Sequence, residues 1–249
     1  MAARIRLGTG FNTSFKVLHT WFGQFLVMGF LYLAILGIAK SFWALLPFSL
    51  PLMFAMLFVL KPGFDCGLTY AALRAHDEAG PVQVGDLFRG FDYLSSAVPA
   101  AIVVALFQAA AALPGGAMVA GGIVVLAVEG PTAVGVLLIV LGSVVLLAGI
   151  IVVSTFYVFV PQTIVDTKAD FWACMEASRK LVFAEFWGAL GTLILSVLME
   201  IVGFLFCCVG IFYTLPLRFA FVTSVYRTGV AKAMPARPRG RETGRRTRP

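Results

Sequence analysis

Polar residues in this chain gather in short clusters, and the stretches between the clusters are almost wholly apolar. A helix needs roughly 20 apolar residues to cross a hydrocarbon core about 30 Å thick. Six stretches reach or approach that length, at about 21–39, 45–73, 95–113, 132–160, 186–209 and 211–228. The second and fourth exceed it, which predicts helices that tilt or project beyond the bilayer. A further run, 116–128, would cover only about 20 Å at 1.5 Å per residue. It is glycine-rich and bounded by Pro114 and Pro131, so it reads as an interfacial or re-entrant element. The pattern predicts an all-α fold: a polytopic transmembrane helical bundle of about six spans, with amphipathic cytoplasmic interfacial helices. Residues 1–20 form an N-terminal cytoplasmic segment in this reading, 21–230 the six-span domain, and 231–249 a disordered basic tail.

Two of the polar clusters predict structure of their own. Residues 74–93 hold a turn at Gly80-Pro81 followed by a short amphipathic piece. In 167–185, Thr167 and Asp170 have the spacing of a capping box. Phe171, Cys174, Met175, Ser178 and Val182 then share one mostly apolar helical face. That segment reads either as a helix lying in the headgroup zone or as an extension of the fifth span. The two halves of the chain echo each other loosely, with Pro62 and Pro161 late in their long spans.

Composition excludes a soluble domain. Hydrophobic residues make up 60% and charged residues 12%, with a mean hydropathy of +0.96; soluble chains are nearer half apolar and a quarter charged. One core could not hide 23 phenylalanines beside the aliphatic residues, so lipid must solvate the remainder. Charge then sets the orientation, because cytoplasmic loops collect Lys and Arg. With six spans and a cytoplasmic N-terminus, all basic residues except Lys40, Lys61 and Arg218 fall in cytoplasmic segments. A seventh crossing would move the tail arginines to the far side. The expected location is a cell inner membrane, multi-pass, with both termini cytoplasmic. The arginine-rich tail is expected to attract anionic lipid headgroups; no nucleic acid is expected, since no aromatic residues interleave the basic ones.

Candidate chemistry is sparse. Cys66, Cys174, Cys207 and Cys208 show no CxxC spacing, and His19 and His76 are the only histidines, so no metal or other cofactor is expected. No phosphate-binding glycine loop, zinc-protease or serine-hydrolase motif occurs, and the expectation is a protein that is not an enzyme. Four ionisable residues fall inside apolar runs. Lys61 and Asp65, four apart, are placed to pair along one helix; if the second span ends early, Lys61 is instead an interfacial anchor. Glu200 and Arg218 lie ten residues before and eight after Gly210. In a hairpin turning at that glycine they would sit at similar depth, about 15 and 12 Å from the turn. Intramembrane charges of this kind pair with one another or mark a pathway, and a desolvated glutamate can also stay protonated. Two stripes of small residues, Gly63, Gly67, Ala71, Ala75 and Ala97, Ala101, Ala105, Ala109, predict close helix–helix packing, one stripe against the other.

Four blocks, "KPGFDCGLTYAALRAHDE", "GDLFRGFDYL", "FVPQTIVDTKADFWACMEASRKLV" and "CCVGIFYTLPLRFAFVTSVYR", resemble in order and spacing a broad group of bacterial integral membrane proteins. They are similar to the membrane domain attached to some glycerophosphodiester phosphodiesterases. The resemblance covers roughly residues 60–228, with 115–131 as an expansion. It implies a multi-span bacterial inner-membrane protein and transfers no catalytic residue. The functional expectation is a non-enzymatic scaffold or accessory component, with the lipid bilayer and a membrane protein as partners. The alternative is a small permease or channel with a polar pathway around Glu200 and Arg218.

Overall fold

A computed structural model describes residues 7–45, 56–78, 80–205 and 209–233. Among them every regular element is helical: α1 (Leu7–Thr20), α2 (Phe22–Leu45), a π-helical turn (Met56–Leu60) leading into α3 (Lys61–His76), a 3₁₀ segment (Val84–Tyr93), α4 (Leu94–Glu129), α5 (Ala133–Phe156), α6 (Val160–Thr167), α7 (Phe171–Ala184), α8 (Phe186–Leu205) and α9 (Val209–Ala233). Four helical stretches are long and apolar enough to cross a membrane, beginning at Phe22, Val84, Ala133 and Phe186. Little of their apolar surface is buried within the bundle, and Leu106, Leu113, Val128, Leu137 and Leu147 all face outward. Outward apolar surface on this scale is what lipid solvation requires.

At the centre stands α9, whose residues from Thr214 to Tyr226 are buried apart from the partly exposed Arg218. Both α1 and α2 run antiparallel along it: Gly10 abuts Val225 and Phe221, and Gly29 abuts Phe212 and Pro216. Residues 7–20 of the N-terminal segment are thus a helix packed on α9. Gly10, Ser14 and Leu18 form its buried face. Around α9 also lie α3 and α8, and α6 joins α3 to α7.

Two expectations about glycine change. First, 116–128 is not a separate re-entrant or interfacial element, since α4 runs unbroken through Pro114 to Glu129. With α5 it forms a long antiparallel hairpin turning at Gly130, whose φ is 80°. Thr132 caps α5 by accepting a hydrogen bond from the Gly135 amide at 3.3 Å. Glycines of both helices are packing positions: Gly115 meets Gly142 and Leu146, Gly122 meets Gly135 and Ile139, and Gly149 meets Ala111. Their seven-residue spacing returns each to the same face every second turn, so the two backbones touch.

Second, the α3 stripe does not meet the α4 stripe. The 3₁₀ segment lies on it instead. A Cβ on Gly67 would stand 1.9 Å from the Leu87 carbonyl oxygen, and one on Gly90 1.9 Å from that of Gly63. Ala71 is fully buried, whereas Ala101 and Ala105 line a cavity. The physical reason is chain connectivity: Gly80, at φ 125°, turns the 3₁₀ segment back along α3 before α4 can reach it.

Smaller differences follow the same logic. Gly210 is inside the first turn of α9, and the connection from α8 falls at 206–208, outside the described residues. No capping box forms between Thr167 and Asp170. The Thr167 hydroxyl closes α6 by donating to the Thr163 carbonyl at 2.7 Å and accepting from the Ala169 amide at 3.3 Å. The face of α7 formed by Cys174, Met175, Ser178 and Val182 is buried in the bundle, where the Ser178 hydroxyl donates to the Phe156 carbonyl at 2.9 Å. The second predicted span is described only from Met56 onward, and 234–249 of the basic tail lie outside the described residues.

Candidate functional site

The four candidate charges form two ion pairs. Lys61 and Asp65 lie on the same face of α3 because they are four residues apart, and Lys61 Nζ is 2.8 Å from Asp65 Oδ2. The other carboxylate oxygen accepts a hydrogen bond from the Tyr32 hydroxyl of α2 at 2.9 Å. Asp65 thus has both oxygens engaged, one within its own helix and one across to α2. Glu200 of α8 and Arg218 of α9 also form an ion pair, in which Arg218 Nη1 donates to Glu200 Oε1. Their side chains are 45% and 37% exposed, so the pair sits at the rim of the bundle rather than in its interior. The Arg218 guanidinium also lies 5.7 Å from the centre of the Phe219 ring, a favourable cation–π distance. Tyr32 thus ties α2 to the Lys61–Asp65 pair.

Beside Lys61 and Asp65 is a cavity of about 390 Å³ between α3, α4, the α5–α6 connection and α6. Alanines at 97, 100, 101 and 105 make most of one wall, which is why that small-residue stripe leaves open space. Gln108 reaches the cavity while its side-chain amide donates to the Ser154 hydroxyl at 3.2 Å. The lining is apolar apart from these few groups, so the space suits an acyl or other apolar chain better than a hydrated ion.

A second polar level caps one end of the bundle, and sequence reasoning missed it. Arg227, about two and a half turns beyond Arg218 on α9, bridges the ends of two other helices. Its Nη1 is 2.9 Å from Asp166 Oδ1 of α6, and its Nη2 pairs with Asp77 at the end of α3. The Tyr226 hydroxyl donates to the second Asp166 oxygen at 3.1 Å. Burial pushes the Asp77 carboxyl upward, but the adjacent His76 and the Arg227 guanidinium outweigh it and hold the group below its ordinary range. Next to this clasp, Arg74 Nη1 donates to both oxygens of the buried Asp86 at 3.0 and 3.2 Å. Asp86 also accepts the Gln83 amide at 3.0 Å, so one carboxylate both caps the 3₁₀ segment and anchors it to α3. Read along the chain, Arg74 and Arg227 signal only orientation, and His76-Asp77-Glu78 a solvated turn. The available clue was the pairing of each basic cluster with an aspartate in a separate polar cluster.

Among the described residues no group of three His, Cys, Asp or Glu side chains comes together as a metal site. Cys66 and Cys174 are buried free thiols. Chemically, the arrangement neutralises charge in pairs and ties helices together at two depths. Comparison with known protein families, with curated proteins and with solved structures found no match for this chain.

Proposed function

We propose that this chain is a non-enzymatic scaffold or accessory component of a bacterial inner membrane. In this reading it crosses the bilayer six times, through α2, the Met56–His76 helix, α4, α5, α8 and α9. The end bearing Arg74, Arg227 and the basic tail faces the cytoplasm, as the distribution of Lys and Arg requires. The 3₁₀ segment and α7 then sit at the cytoplasmic face, and the tail is available to anionic lipid. The resemblance of residues 60–228 to bacterial multi-span proteins points the same way.

The observation that carries the proposal is closure of the charges. Lys61 is taken by Asp65, Asp65 also by Tyr32, and Glu200 by Arg218. Groups so engaged hold helices in register, and a conduction path would instead need polar groups free to exchange partners. A permease is the second reading, favoured by the cavity against Lys61, Asp65 and Gln108. Proton and solute flux in proteoliposomes separates the two. The scaffold reading expects no flux above empty vesicles, and none altered by Asp65→Asn or Glu200→Gln. Flux that either substitution abolishes, in protein that still folds, overturns it.

A further inference from the structure

At the polar end, a cavity of about 310 Å³ opens between α3, the 3₁₀ segment, the α6–α7 connection and α9. Four cationic side chains reach it, Arg74, Arg89, Lys168 and Arg227, against two carboxylates, Asp77 and Asp166. The carboxylates are already spent: both are held by Arg227. Arg74 is committed to Asp86.

Two cations remain. Arg89 donates through Nη1 to the Tyr70 hydroxyl at 2.8 Å, and its Nε is 3.7 Å from the Asp86 that Arg74 already occupies. Because the Tyr70 oxygen accepts that bond, its own O–H is left to donate elsewhere. Tyr93, also on the cavity wall, carries a second hydroxyl with no hydrogen bond among the described residues. The ammonium of Lys168 is exposed and likewise engages no partner among them. Its backbone is in the left-handed region, φ 52°, where it ends α6 by donating its amide to the Ile164 carbonyl at 3.0 Å. Glycine takes that conformation at lower cost. Here a lysine takes it, and the strain sets a positive charge at the rim of the cavity.

We infer that this cavity is a binding site for a phosphate-type oxyanion, held by Arg89 and Lys168 with donation from the Tyr70 and Tyr93 hydroxyls. Arg74 and Arg227, fixed by their aspartates, form the charged wall behind them. Donors from separate segments converging on one concavity, with more cations than carboxylates on its wall, suit a tetrahedral anion with several acceptor oxygens. The site is separate from the cavity beside Lys61. Its depth, at the end of the crossing helices, admits either the phosphate of an anionic lipid headgroup or a free phosphate. Its occupancy does not depend on whether the protein conducts.

Calorimetric titration of the full chain in a nonionic detergent tests the inference, with short-chain phosphatidate, short-chain phosphatidylcholine and inorganic phosphate as probes. Lys168→Gly removes the ammonium while relaxing the left-handed residue, so folding is preserved; Lys168→Arg keeps the charge. Saturable binding of phosphatidate is expected, weakened about tenfold by Lys168→Gly and by Arg89→Gln and retained in Lys168→Arg. Preference for phosphatidate over inorganic phosphate assigns the headgroup as ligand, and equal affinity assigns the free anion; both support the site. Saturable binding of neither, affinity unchanged by Lys168→Gly and Arg89→Gln, or phosphatidylcholine binding as tightly as phosphatidate overturns it.

Discussion

Replacing Gly67 by alanine tests the least expected contact in the fold, the seat of the 3₁₀ segment on α3. The added Cβ would lie 1.9 Å from the Leu87 carbonyl oxygen and 2.7 Å from its carbon. An ordinary carbon–oxygen approach is roughly 3.3 Å, so the segment would have to retreat by well over an ångström. The obstruction is backbone, and no rotamer change relieves it. Retreat opens space at Leu87, which is fully buried, and stretches the Arg74–Asp86 contacts now at 3.0 and 3.2 Å. Overpacking of this kind costs about 1–3 kcal/mol, and loosening a charged hydrogen bond adds about 1.5–3 kcal/mol. Against these, alanine in a helix gains about 1 kcal/mol over glycine. The balance is a destabilisation of roughly 2–4 kcal/mol, which for a chain of this length lowers Tm by about 5–15 °C.

Thermal unfolding in detergent, read by intrinsic fluorescence, measures the shift. Gly85→Ala is the matched control: it lies in the same 3₁₀ segment, with nothing within 4 Å of the added carbon, and its Tm is expected to stay at the parent value. A Gly67→Ala protein that melts with Gly85→Ala refutes the docking of the 3₁₀ segment on α3.

Two further predictions concern the paired charges. Glu200→Arg and Arg218→Glu should each lower Tm by several degrees, and the double reversal should recover at least half of the loss, because the pair lies at the rim where swapped partners can re-form; a double variant no better than the worse single one removes the pair as a lock. The Asp77 carboxyl is held below its ordinary value of 3.8 in the folded protein, so its stabilising contribution is complete above that pH and is lost as pH falls through the lower folded value. Across pH 5 to 3, Tm of the parent should therefore fall more steeply than that of Asp77→Asn, and parallel curves would show that the Arg227 clasp does not report through this carboxyl.

Hydropathy was a good guide to where helices run and a poor one to how they touch. Long apolar runs announce lipid-facing helices, and the spacing around the last connection brings Glu200 and Arg218 to a common depth. What stayed hidden was packing through residues that carry no hydrophobic signal. The buried face of α1 begins with Gly10 and Ser14, so residues 7–20 read only as a cytoplasmic segment ahead of the first span. The packing role of Gly115, Gly122, Gly135, Gly142 and Gly149 shows only when their seven-residue spacing is set against an antiparallel partner. Gly67 shows small-residue spacing, but nothing local says that a 3₁₀ segment rather than another helix will use it. The polar-end clasp was illegible for a different reason: Asp77, Asp166 and Arg227 are separated by some 60 to 150 residues, and only the tertiary fold makes them neighbours.

These two levels of charge give α9 its place at the centre. Arg218 and Arg227 are nine residues apart on it, about 13 Å along the axis. The inner one binds α8 through Glu200, and the outer one binds α3 and α6 through Asp77 and Asp166. Between them, Phe219, Ala220, Phe221, Val222 and Val225 are buried against their neighbours. Dispersion packing alone would leave a smooth apolar helix free to slide or rotate in a lipid-solvated bundle, since lipid competes equally for its surface. An arginine that must find its carboxylate at a set depth removes that freedom at each end. Register in this bundle is therefore an electrostatic property of α9, while close contact elsewhere, in the α4–α5 hairpin and between α3 and the 3₁₀ segment, is a property of glycine. Lys168 stands apart from both systems, since its ammonium has no partner among the described residues, whereas Arg89 touches the second only through its 3.7 Å approach to Asp86.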